Sequence, residues 1–128
     1  MPTIERVIPL LTYQDIAAAH DFLVHAFGFA SGGVHRTPDG QAVHGEVRAG
    51  SATIFLHAAA AEHRLESPLG ADVANSGLIV QVDDVDAHFE HARAAGARID
   101  SEPVDQPYGQ REYAREIPKG IAGGFQRW

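Results

Sequence analysis

The sequence predicts an α+β fold made of two halves, each a strand, a helix and three further strands. Three observations carry that reading. Asp15 opens an apolar stripe that Gly28 closes, and Asp84 opens a second that Gly96 closes, with 69 residues between the two Asp (84 − 15). Turn signals follow both stripes at similar distances: Gly40 and Gly50 lie 12 and 22 residues after Gly28, and Gly109 and Gly120 lie 13 and 24 after Gly96. Half of a 128-residue chain is also too small to hold a good core alone, so the halves must share one.

The first half begins with residues 4–13, IERVIPLLTY, which read as a strand in which Pro9 needs a position that spends no N–H. Asp15 suits a helix N-cap, because its carboxylate can accept from the free N–H groups of the first turn. Ile16, Ala19, Leu23, Ala26 and Phe27 form the stripe of that helix and Gly28 ends it. Strands are expected at 29–37, 41–48 and 52–57, divided by Pro38-Asp39-Gly40 and Ala49-Gly50-Ser51. Residues 58–76, AAAAEHRLESPLGADVANS, show no strand alternation and read as a connector.

The second half opens on residues 77–82, apolar and rich in β-branched side chains, as a strand covered on both faces should be. Asp84 caps a helix whose stripe is Val85, Phe89 and Ala92, with Gly96 as its stop. Strands at 97–104, 110–116 and 121–127 follow, divided by Pro107-Tyr108-Gly109 and Pro118-Lys119-Gly120. The organisation expected is one domain over residues 1–128, with modules at 4–58 and 77–128 and a connector at 59–76.

Composition removes several function classes. Cys is absent, which excludes disulfides, Cys-ligated zinc and thiol catalysis. Ten basic against seventeen acidic residues give a net charge of −7 with no Lys/Arg cluster, so neither nucleic acid nor an anionic membrane is expected as a partner. No signal-peptide pattern and no run of about 20 apolar residues occurs, and a cytoplasmic location is the expectation. There is no GxSxG elbow, P-loop, GxGxxG or HExxH pattern.

Four stretches resemble the vicinal-oxygen-chelate superfamily, the group of glyoxalases, bleomycin-resistance proteins and extradiol dioxygenases. They are IPLLTYQDIAAAHDFLVHAFGF, DGQAVHGEVRAGSATIFL, VQVDDVDAHFEHARAAGARI and QPYGQREYAREIPKG, which together cover nearly the whole chain. The resemblance implies two βαβββ modules whose sheets curve around a shared cavity, commonly within a homodimer. It also implies, for the enzymes, a divalent metal on His and Glu or Gln that polarises substrate oxygens. The positions matching those ligands are Ile8, Gly77 and about Gly124, none of which has a donor. In the last strand, Pro118, Gly120 and Phe125 match the family's DP-x-GH-x-W-x-F, while its Asp, His and Trp are missing.

The remaining polar residues give the candidate site. His44 and Glu46 share one face of a strand and His57 ends its neighbour, so these three are the ligands to consider if a metal binds. The segment from Gln106 to Arg111 enters the cavity mouth in proteins it resembles, which makes Tyr108, Arg111 and Tyr113 candidate ligand contacts; His57 is a further candidate contact, and Gln81 is placed on the cavity floor. Asp84, His88 and His91 lie along one helix flank, expected to face solvent, and His20 and His25 on the first helix carry no stronger functional expectation.

The expected function is a glyoxalase/bleomycin-resistance-like protein that binds a small hydrophobic or aromatic molecule without a catalytic metal or other cofactor. The alternative is a divalent-metal-dependent lyase, isomerase or dioxygenase with displaced ligands. A third reading is an assembly module with no ligand.

Overall fold

The computed structural model describes residues 1–58, 77–117 and 121–127. The expected connector at 59–76 and the turn at Pro118-Lys119-Gly120 lie outside the described residues, as does the end of the chain at Trp128. The elements run β1 (Leu10–Tyr13), α1 (Ile16–Phe27), β2 (Ala30–Arg36), β3 (Ala42–Ala49), β4 (Ala52–Ala58), β5 (Gly77–Val82), α2 (Val85–Ala94), β6 (Ile99–Asp105), β7 (Arg111–Ile117) and β8 (Ile121–Arg127). Both halves are therefore βαβββ, a mixed α+β architecture.

The two sheets repeat one topology. Their strand orders are β1-β4-β3-β2 and β5-β8-β7-β6, with the first strand of each module parallel to its fourth and the other neighbours antiparallel. Asp15 and Asp84 cap the helices as expected, each carboxylate accepting at 3.0 Å from the backbone N–H three residues on, Ala18 and Ala87. Gly28 ends α1 at φ 77°, where its N–H reaches the Leu23 and Val24 carbonyls; only a residue free of a Cβ adopts that backbone without cost.

The first strand is shorter than the sequence suggests, spanning 10–13 rather than 4–13. Its ladder starts where the Phe55 N–H donates to the Pro9 carbonyl at 3.0 Å. Proline has no N–H to return, so pairing cannot extend through it.

One core runs through both modules. Leu23, Val47, Leu56 and Ala92 are fully covered, and Ile16, Phe27, Val85 and Tyr113 are at most 2% exposed. Gly45 lets α1 sit close on β3: a Cβ there would lie 3.0 Å from the Ile16 side chain. The alternation then fixes the faces of the first sheet. Gly45, Val47, Ile54 and Leu56 look toward α1, and His44, Glu46, Phe55 and His57 look away from it.

The helices join the modules. Where the sequence suggests a solvent-facing flank on α2, His88 and His91 instead meet α1. The carbonyls of Phe27 and His25 accept from their Nε2–H groups, both at 2.8 Å. Packing of α2 onto the end of α1 is a tertiary relation that the spacing along α2 alone does not reveal.

Candidate functional site

A cleft of about 720 Å³ opens between the modules. Its walls are the end of α1 with Phe27 and Phe29, the β3–β4 turn with Ile54 beyond it, and β5 from Leu78 to Val82 with Asp83 after it. β5 presents both of its faces to this region. Leu78, Val80 and Val82 pack against the core, whereas Ile79 on the opposite face is 69% exposed and Gln81 beside it is exposed. The lining is mainly apolar, with Ser51, Gln81 and Asp83 as its polar side chains.

A second surface lies on the face of the first sheet turned away from α1. Register sets His35 opposite His44, and His44 opposite His57, so three imidazoles stand in one row across β2, β3 and β4. The ring centroids are 5.7 and 6.2 Å apart, and His44 meets Phe55 edge-on at 4.9 Å. The His57 Nδ1–H donates to the Ala58 carbonyl at 3.1 Å, since a carbonyl can only accept.

Glu46 sits one row from these histidines, opposite Phe55 on one side and Gly33 on the other. Its carboxylate accepts from Arg48 at 2.8 Å and lies over Gly32. The Glu46 carboxylate is engaged by Arg48 rather than by the histidine row. Among the described residues, no group of three or more His, Asp or Glu is gathered so that it could hold a metal ion. The positions matching the expected ligands, Ile8, Gly77 and Gly124, offer no donor, and neither do their neighbours Pro9, Leu10, Leu11, Leu78 and Ile79. The described residues do not fit the metal that the resemblance brings.

The remaining sequence candidates lie apart. Tyr113 is 1% exposed on the α2 side of β7, where its hydroxyl bonds to His88 Nδ1 at 2.7 Å and its ring meets Phe89 edge-on at 5.3 Å. Arg111 shares that side and forms a two-pronged ion pair with Asp86 of α2, Nε and Nη2 donating at 3.0 and 2.9 Å, with Asp105 at 3.5 Å. The Asp86 hydrogen bond leads the effects that hold the guanidinium above its ordinary pKa. Tyr108 is 64% exposed in the β6–β7 turn and donates its hydroxyl to Glu112, which pushes the phenol pKa up. Of the sequence candidates, the cleft gathers Gln81 alone, His57 stands on the open sheet face, and Tyr113 and Arg111 tie β7 to α2.

Phe27, Phe29, Ile54 and Ile79 were not singled out from sequence as site residues. Each reads as ordinary core by pattern, and only the tertiary arrangement that puts β5 and the end of α1 around one cleft brings them together.

Comparison with known proteins places this geometry. Residues 4–123 match the family model described as the Glyoxalase/Bleomycin resistance protein/Dioxygenase superfamily. The chain is similar to TioX from Micromonospora sp. ML1, with a TM-score of 0.76 at 31% identity over 96% of this chain and 98% of that one. It shares its fold with TnmS3, an antibiotic binding protein from Streptomyces sp. CB03234 (TM-score 0.73, 20% identity, 99% and 98% covered). The same fold appears in lactoylglutathione lyase from Agrobacterium tumefaciens (TM-score 0.70, 17% identity, 99% and 96% covered). An uncharacterized protein of Mycobacterium bovis is 32% identical over 108 residues, 80% of this chain and 70% of that protein. For a counterpart in Mycobacterium tuberculosis at the same identity, the match spans 62% of its length.

Proposed function

The chain belongs to the Glyoxalase/Bleomycin resistance protein/Dioxygenase superfamily, and from that membership we propose that it binds a small hydrophobic or aromatic molecule without a catalytic metal. The observation that carries this reading is the apolar cleft along β5, whose volume falls within the roughly 300–1,000 Å³ usual for small-molecule sites. Leu78, Ile79 and Val80 would remove apolar ligand surface from water over a floor of buried Phe27, Phe29 and Ile54, and the Gln81 amide would orient one polar group. TnmS3, described as an antibiotic binding protein, supports the same use of this fold.

Within this reading the sequence candidates divide. Gln81 contacts the ligand directly; His57 and Tyr108 present polar atoms on open surfaces; Tyr113 and Arg111 act from behind β7 by holding it to α2. A second copy of the chain belongs to the reading too, because Ile4, Val7 and Leu10 are exposed beside the edge strand β1. No described helix is long and apolar enough to cross a membrane, and the lack of Cys suits a reducing cytoplasm.

The test begins with elemental analysis of untagged protein before and after incubation with Mn, Fe, Ni, Co and Zn. It continues with a thermal-shift screen of planar aromatic compounds. Stabilisation by an aromatic compound without stoichiometric metal is the expected result. Tightly held metal that is lost on His44→Ala or Glu46→Gln would replace this reading with a metal-dependent lyase, isomerase or dioxygenase.

A further inference from the structure

A separate cluster lies on the α1 side of the first sheet, away from the cleft. His20 of α1 bonds through Nε2 to Ser31 Oγ at 2.7 Å and through Nδ1 to Asp21 Oδ1 at 2.9 Å. Chemistry fixes the direction of each bond for the neutral ring. An ionised carboxylate only accepts, so Nδ1 carries the proton; Nε2 then holds a lone pair, and the Ser31 hydroxyl donates to it. The result is a nucleophile, a base in position to take its proton, and a carboxylate orienting that base.

The local backbone adds a third element. A bulge at Gly32 interrupts the β2–β3 register between Ser31 and Gly33, and bulges re-aim side chains in this way. Gly33, at φ 99°, turns its N–H onto Ser31 Oγ at 3.1 Å. A carbonyl carbon bonded to Oγ would place its oxygen beside that N–H, where a developing negative charge needs a donor. Ser31 is exposed, while only 12% of the His20 side-chain surface is accessible. The nucleophile is open to a substrate and its base is held.

We propose that Ser31, His20 and Asp21 form an acyl-transfer site that accepts small activated esters. Ser31 Oγ attacks the ester carbonyl carbon as its proton passes to His20 Nε2. The tetrahedral adduct then expels the alkoxide, which takes that proton and leaves as the alcohol. In the second half, His20 deprotonates a water that attacks the acyl-serine. The carboxylic acid departs and Ser31 Oγ recovers the proton. Water is the co-reactant, and no oxidant, metal or cofactor is required.

The experiment treats the full-length protein with diisopropyl fluorophosphate, which phosphorylates an activated serine with loss of fluoride, and maps the adduct by peptide mass spectrometry. p-Nitrophenyl acetate hydrolysis is followed in parallel. The expected result is one adduct on Ser31, lost in Ser31→Ala and formed about 100-fold more slowly in His20→Ala. Asp21→Asn, which offers the Nδ1 side of the ring an amide in place of the carboxylate, should slow both reactions with the melting temperature kept. No adduct on the wild-type protein, an adduct elsewhere, or equal rates in wild type and His20→Ala would overturn the proposal and leave the three residues as a tie between α1 and β2. The wild-type measurement decides even if a variant fails to fold.

Discussion

His88 on α2 donates its Nε2–H to the carbonyl of Phe27, the last residue of α1, at 2.8 Å. The same ring accepts the Tyr113 hydroxyl at Nδ1 and stacks on the Phe27 ring at 6.2 Å, so one imidazole links α1, α2 and β7. His88→Ala should cost about 2 kcal/mol, from two hydrogen bonds at roughly 1 kcal/mol each. Urea denaturation measures it, and a lower m-value would show the modules unfolding separately.

Ile79 offers a cleaner probe of the cleft. It is 69% exposed, so Ile79→Lys should leave the melting temperature near that of the wild type. It should weaken an aromatic ligand by at least about tenfold, through a charge placed where apolar surface is to be buried. Isothermal titration with the best compound of the screen checks this, and an unchanged Kd would remove the cleft as the binding site.

Tyr108 and Glu112 make a pH-dependent pair. The hydrogen bond to Glu112 is the largest cause of the raised phenol pKa, followed by desolvation and the Glu112 charge. A folded-state pKa above the unfolded value near 10 means that the pair's contribution is fully present below about pH 10 and lost as pH rises through the higher folded value. Ultraviolet titration should therefore show Tyr108 ionising late, and Glu112→Gln should bring it down.

Gly32 is held by close approach. A Cβ there would sit 2.6 Å from Cγ and 2.8 Å from Cβ of Glu46. Gly32→Ala should displace the Glu46 side chain, break its pair with Arg48 and cost about 1–3 kcal/mol. Thermal denaturation of the variant checks the loss.

Much of this fold is legible in the chain, because its signals are local. Asp15 and Asp84 act as caps through bonds spanning three residues, and the apolar stripes need only helical spacing. The site is harder because it depends on strand phase and on docking. Residues 111–116, REYARE, carry no apolar alternation to say which face is inner, and the ladder turns Arg111 and Tyr113 toward α2 rather than into the cavity mouth. The Ser31–His20–Asp21 cluster joins a helix to a strand bulge, and no short motif encodes that meeting.

The parallel pairing of each first strand with its fourth has a kinetic consequence. β2, β3 and β4 can zip as successive hairpins, but β1 finds its partner only after a separation of 45 residues, from Leu10 to Phe55. The wait is of similar length in the second module, where the ladder of edge strand β5 is with β8 and Gly77 meets Ala122. At about 5–20 residues per second, the ribosome needs roughly 2–8 s to make the stretch between Val82 and Ile121. GLIVQV has no ladder of its own until β8 has been made and has cleared the ribosome, and from the moment it leaves the exit tunnel until then it is an apolar edge strand open to a nascent-chain chaperone.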